Sequence, residues 1–60
     1  MSVNNIIKIA IADDNKIFRD GITMALSPRE NLTLIWEAEH GNDLMHKINI
    51  KKPDVLLMDI

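Results

Sequence analysis

Sixty residues make at most one small domain, and a chain this short buries only about 60% of the surface its unfolded form exposes. Cysteine is absent, which excludes disulfide and thiolate-zinc staples, and seven basic against nine acidic residues, a formal net charge of −2, leave no basic face for nucleic acid. No apolar run is long enough to span a bilayer and nothing at the amino terminus reads as a signal peptide, so a soluble cytoplasmic protein is expected.

Residues 6–12 are almost continuously apolar and rich in isoleucine, which predicts a central parallel strand covered on both faces and ending at Asp13. From Lys16 to Leu26 the residues Phe18, Ile22 and Ala25 recur at helical spacing, with Leu26 alongside, so one stripe of a helix faces a core. Asp14 or Asn15 supplies its N-cap. The helix should stop near Ser27, because Pro28 disfavours helical geometry in the residue before it and Asn31 supplies turn chemistry.

In residues 32–38, Leu32, Leu34, Trp36 and Ala38 alternate with Thr33, Ile35 and Glu37, the pattern of a strand with unequal faces near a sheet edge. Gly41 and Asn42 break it. Residues 43–49 predict a short helix with Leu44, Met45 and Ile48 inward, and with Asp43 and Lys47 placed to suit the helix dipole. Pro53-Asp54 opens a third strand over residues 55–58, a short apolar run of the buried type. Met24, Met45 and Met58 read as core gap-fillers, Trp36 as a large apolar contributor, and Lys47, Lys51 and Lys52 as a solvated face. His40 and His46 lack partners at ligand spacing and read as solvated surface.

Strand, helix, strand, helix, strand is a βαβαβ unit of an α/β protein, with parallel strands joined by right-handed crossovers. Open sheets of this kind bind ligands beyond the carboxyl ends of their strands. If strands one and three are neighbours, in the flavodoxin-like order 2-1-3, then Asp13 and Asp14 from one tip and Asp59 from the other converge on one site. Three crowded carboxylates either raise a pKa or recruit a cation. Oxygen ligands without histidine or cysteine suit Mg²⁺, which keeps several waters and takes one or two carboxylates directly. Asp59 is the candidate nucleophile toward phosphorus, Asp14 the favoured direct metal ligand, and Asp13 a ligand or a partner through water. The same Asp13-Asp14 pair also suits simple helix capping.

The segments Ile11-Ala12-Asp13-Asp14-Asn15, Phe18-Arg19-Asp20-Gly21, Glu37-Ala38-Glu39-His40-Gly41 and Pro53-Asp54-Val55-Leu56-Leu57-Met58-Asp59-Ile60 together resemble the receiver domains of response regulators. The Phe-Arg-Asp-Gly segment is similar to the subfamily whose receivers precede a LuxR/FixJ-type helix-turn-helix domain. That resemblance implies that residues 1–60 are the first three strands and two helices of a receiver domain, the amino-terminal part of a doubly wound sheet. It also implies transfer of phosphate from a phosphohistidine on a sensor histidine kinase to Asp59, with Mg²⁺ held by Asp13, Asp14, Asp59 and a backbone carbonyl just beyond. In that picture the chain is a phosphoacceptor rather than an enzyme, and DNA is contacted only through a separate output domain. The hydroxyl and lysine that the family adds after its fourth and fifth strands lie outside this sequence, so poor or no phosphotransfer is expected of these residues by themselves.

The alternative is a chemically silent interaction unit. A third strand with an open apolar edge templates pairing with another chain, which predicts a homodimer or a swapped assembly. A haloacid-dehalogenase-type phosphatase would resemble Asp-x-Asp after its first strand, and a flavodoxin-type flavin site would need hydroxyls and backbone donors in place of paired acids. Neither pattern is present.

Overall fold

A computed structural model of the chain describes residues 5–59. Within them β1 (Ile7–Asp13), α1 (Lys16–Leu26), β2 (Leu32–Ala38), α2 (Gly41–Ile50) and β3 (Val55–Asp59) follow in that order. Both strand pairings are parallel and the sheet runs β2-β1-β3. The first crossover runs from β1 out to β2 and the second runs the other way, from β2 past β1 to β3, so with right-handed connections α1 and α2 lie on opposite faces of the sheet. Among the described residues no helix is long and apolar enough to cross a membrane.

β1 has a strand on each side and a helix on each face, so Ile9 through Asp13 are buried, with Ala10, Ile11 and Ala12 wholly inaccessible. From Ile9 onward that matches the expectation drawn from its nearly continuous apolar run, whereas Ile7 and Lys8 at the start of the strand are exposed. β3 is different. Only β1 pairs with it among the described residues, and Val55, Leu57 and Met58 stay exposed.

The alternation of β2 does not sort its residues as the sequence implies. Leu34 pairs with Ile9, but the next pair joins Ala10 to Trp36, so Ile35 is an extra residue in the ladder. Because Ile9 and Ala10 point to opposite faces of β1, their partners do too. Leu32 and Leu34 accordingly line a cleft with Thr23 and Leu26 of α1. Trp36 instead packs on the opposite-face cluster of Ala12, Ala38 and Leu44, and its indole N–H donates to the Lys51 carbonyl at 2.7 Å.

α1 is also turned from its expected stripe. Phe18 and Ala25 are exposed, whereas Arg19 is buried and Ile22, Thr23 and Leu26 are partly buried. The inward face therefore runs 19, 22, 23, 26, about one residue around the helix from the expected 18, 22, 25. The cause is polar: inward acceptors satisfy the Arg19 guanidinium, so Arg19 is buried where Phe18 is left exposed. Ser27 ends the helix as expected, donating its N–H to Thr23.

α2 begins at Gly41, two residues earlier than expected. Positions in the first turn have backbone N–H groups with no partner inside the helix, so glycine and asparagine cost little there. Met24, Met45 and Met58, expected in the core, are 76%, 60% and 62% exposed. Met24 and Met45 sit on the outer faces of their helices, and Met58 lies on the strand with only one neighbour.

Candidate functional site

The acids at the two strand tips are delivered by the register of the sheet. β3 pairs residue for residue with β1 from Ile9–Val55 through Asp13–Asp59, so Asp13 and Asp59 are partners at the carboxyl ends of adjacent parallel strands. Adjacent strands lie about 4.8 Å apart, and partnered residues share a face. At the opposite end of the ladder, Asp54 accepts the Lys8 N–H on its carboxylate at 2.9 Å and donates its own N–H to the Lys8 carbonyl at 2.8 Å.

The three predicted acids nevertheless differ. Asp13 is 4% exposed, and its carboxylate accepts the backbone N–H of Asn15 at 2.7 Å. Asn15 is the N-cap of α1: its side-chain oxygen accepts from the N–H groups of Ile17 and Phe18 at 2.9 and 3.2 Å. This settles the choice between Asp14 and Asn15 as cap. Asp14 and Asp59 are exposed. The described residues contain no group of three or more acidic, histidine or cysteine side chains disposed to hold a metal ion. The fold pairs Asp13 with Asp59, and Asp14 follows Asp13 in sequence, but the three are not pre-assembled.

By donor chemistry these residues still suit Mg²⁺. All are hard carboxylate oxygens, one oxygen of Asp13 is not needed by Asn15, and an ion that retains most of its water needs few protein ligands.

Arg19 is the functional candidate that the sequence reading passed over. Its side chain is only 7% exposed. Nη1 donates to the Asp13 carbonyl oxygen at 2.7 Å, Nε to Glu37 at 3.2 Å, and Nη2 to Glu39 at 3.2 Å. No buried side-chain nitrogen or oxygen among the described residues lacks a partner. The signal available in the sequence was the pair Glu37 and Glu39, which two-residue spacing puts on one side of an extended segment. An open cleft of about 310 Å³ lies over this cluster, with Lys16, Arg19, Glu37, Glu39 and Lys47 among its lining residues.

Lys47, expected on a solvated face, donates to the Glu37 carbonyl and lies 3.2 Å from Asp43. Its hydrogen bond holds the Asp43 carboxyl below its ordinary pKa of 3.8. Lys51 and Lys52 are exposed, as are His40 at the start of α2 and His46 upon it.

Parallel βαβαβ connectivity in the order 2-1-3 makes this an α/β unit of the flavodoxin-like class. Over 53 to 54 residues it is homologous to response regulators of the LuxR/FixJ type. It is 40% identical to the oxygen regulatory protein NreC of Staphylococcus haemolyticus over 88% of the chain. It is 37% identical to the response regulator GacA of Pseudomonas syringae and 43% identical to the transcriptional regulatory protein LnrK of Bacillus subtilis, each over 90% of the chain. The chain spans about a quarter of the length of these curated relatives, 24%, 25% and 24% in the same order. A protein-glutamate methylesterase/protein-glutamine glutaminase of Clostridium acetobutylicum also matches, at 37% identity with 16% of its length covered. The shared stretch thus accompanies regulators and an enzyme alike. No family model and no solved structure matches the chain.

Proposed function

We propose that these residues are the first three strands and two helices of a receiver module of two-component signalling, in which Asp59 accepts a phosphoryl group from a phosphohistidine on a sensor histidine kinase. The observation that carries this reading is the pairing of Asp13 with Asp59 at neighbouring strand tips, in a stretch homologous to response regulators. A carboxylate oxygen of Asp59 attacks phosphorus, the P–N bond breaks, and its electron pair leaves on the imidazole, so an acyl phosphate forms. Exposure of Asp59 leaves room for an in-line approach. Asp14, Asp59 and the remaining oxygen of Asp13 would hold Mg²⁺. When bound, that ion offsets the mutual repulsion of the acids and stabilises charge on phosphoryl oxygens. Any DNA contact comes from a separate output domain, since a chain with net charge −2 offers no basic face.

Incubation with acetyl phosphate and Mg²⁺, followed by mass spectrometry, tests the chemistry. The expected result is addition of one phosphoryl group that maps to Asp59, is lost in Asp59→Asn, and disappears when Mg²⁺ is chelated. A folded chain that stays unmodified under these conditions favours the chemically silent interaction unit over the phosphoacceptor reading.

The open edge of β3, with Val55, Leu57 and Met58 exposed, also favours self-association as a homodimer or swapped assembly. Light scattering over a concentration series should show mass rising above that of one chain; a constant monomer mass excludes it.

A further inference from the structure

We propose that Arg19 is the positioning residue of the acidic strand tip, fixing the peptide from which Asp14 projects and thereby tuning how well the tip holds a divalent cation. The proposal rests on the phosphoacceptor reading above, in which Asp13 and Asp14 help to hold that ion.

The geometry runs through one peptide unit. The Asp13 carbonyl oxygen and the Asp14 N–H belong to the same planar group, so holding the oxygen fixes the direction in which the chain enters Asp14. Arg19 holds that oxygen at 2.7 Å from a guanidinium that is itself tethered to Glu37 and Glu39. The side chain of Asp13 is held separately, by the Asn15 N–H at 2.7 Å. The turn from β1 into α1 is thus clamped twice, once by the Asn15 N–H within the turn and once by Arg19 of α1, which Glu37 and Glu39 hold in place.

Charge neutralisation is not what Arg19 provides to the acids. Among the described residues its carboxylate partners are Glu37 and Glu39, and its contact with the tip is with a carbonyl. Two carboxylates already face one guanidinium. The feature that matters is the planar fork, which reaches three acceptors in different directions. Lysine carries the same charge on a single point and cannot reproduce that reach.

A purely structural ion pair of a buried arginine with partly exposed carboxylates would lower stability when broken and leave the cation affinity of the folded protein alone. The two roles separate in one experiment on the ¹⁵N-labelled chain, comparing wild type, Arg19→Lys, Arg19→Ala and the core control Ile9→Ala. Mg²⁺ is titrated while the amide signals of residues 13–15 are followed, and folding is checked by circular dichroism. The expected result is an Mg²⁺ Kd raised about ten- to a hundredfold in both Arg19 variants, the range for groups that orient ligands from behind. Ile9→Ala should weaken the fold without moving that Kd. An Arg19→Lys chain that is folded and binds Mg²⁺ like wild type overturns the proposal. Should Arg19→Ala fail to fold, Arg19→Lys decides.

Failure of the underlying reading looks different. Wild-type chain that takes neither Mg²⁺ nor phosphate removes the phosphoacceptor function, and the clamp is then judged without metal. Shifted Asp14 and Asn15 amide signals with faster hydrogen exchange at Asn15 in Arg19→Lys support it; unchanged signals and exchange overturn it.

Discussion

Asp13 and Asp59 are register partners, yet they belong to two very different halves of the sheet. On the β1–β2 side, the strand tips are bound by Asn15, Arg19 and Lys47, and the central strand is closed from solvent. On the β3 side, the ladder to β1 is the principal restraint and the strand remains largely exposed. Among the described residues β1 has a paired strand on each side and β3 has one, and the difference in exposure follows from that count. Exposure and rigidity are thus divided between two adjacent strands.

The largest test of this contrast uses another pair of register partners, Ile11 and Leu57, which are 0% and 39% exposed. Ile11→Ala deletes fully buried methyl and methylene groups and should cost about 2–5 kcal/mol, enough to unfold a marginal small domain. Leu57→Ala should cost about 1 kcal/mol or less, because part of that side chain already faces water. Urea unfolding followed by Trp36 fluorescence measures both. Equal losses would mean that the two halves are not packed differently.

A smaller effect sharpens the same contrast with pH. Asp43 is held below its ordinary pKa of 3.8 by the hydrogen bond from Lys47, which also reaches the Glu37 carbonyl on the closed half. A depressed carboxyl stabilises the fold above its unfolded pKa and loses that contribution as pH falls through the folded value. Wild type should therefore lose a small stability advantage over Asp43→Asn only in strongly acid solution, below 3.8. Thermal melts of the two proteins across that range report it; a constant difference between neutral and acid pH would remove the Lys47 link from the account.

The order of elements was legible because each strand and helix carries a local signal. The isoleucine-rich run of β1, the Pro28 stop and the Pro53-Asp54 opening each act on their own neighbourhood. What escaped sequence reasoning depends on distant partners. Arg19 is buried because Glu37 and Glu39, 18 and 20 residues away, complete its hydrogen bonds. The extra residue Ile35 divides an apparently uniform face, and only the pairing with β1 reveals it. Of the candidate site, the strand-tip location of all three acids could be read from sequence, whereas the unequal burial of Asp13 and Asp59 follows from how many neighbours each strand acquires.

The reciprocal bonds between Lys8 and Asp54 carry a consequence for the far end of the sheet. Five residues further along, at about 3.3 Å each, a one-step slip would carry Asp59 past Asp13 and turn its side chain toward the other helix layer. Because Asp54 engages Lys8 through both its carboxylate and its backbone N–H, it acts as the zero mark of a ruler whose last graduation is Asp59. The alignment of the acids is therefore set at the end of the strands most remote from them.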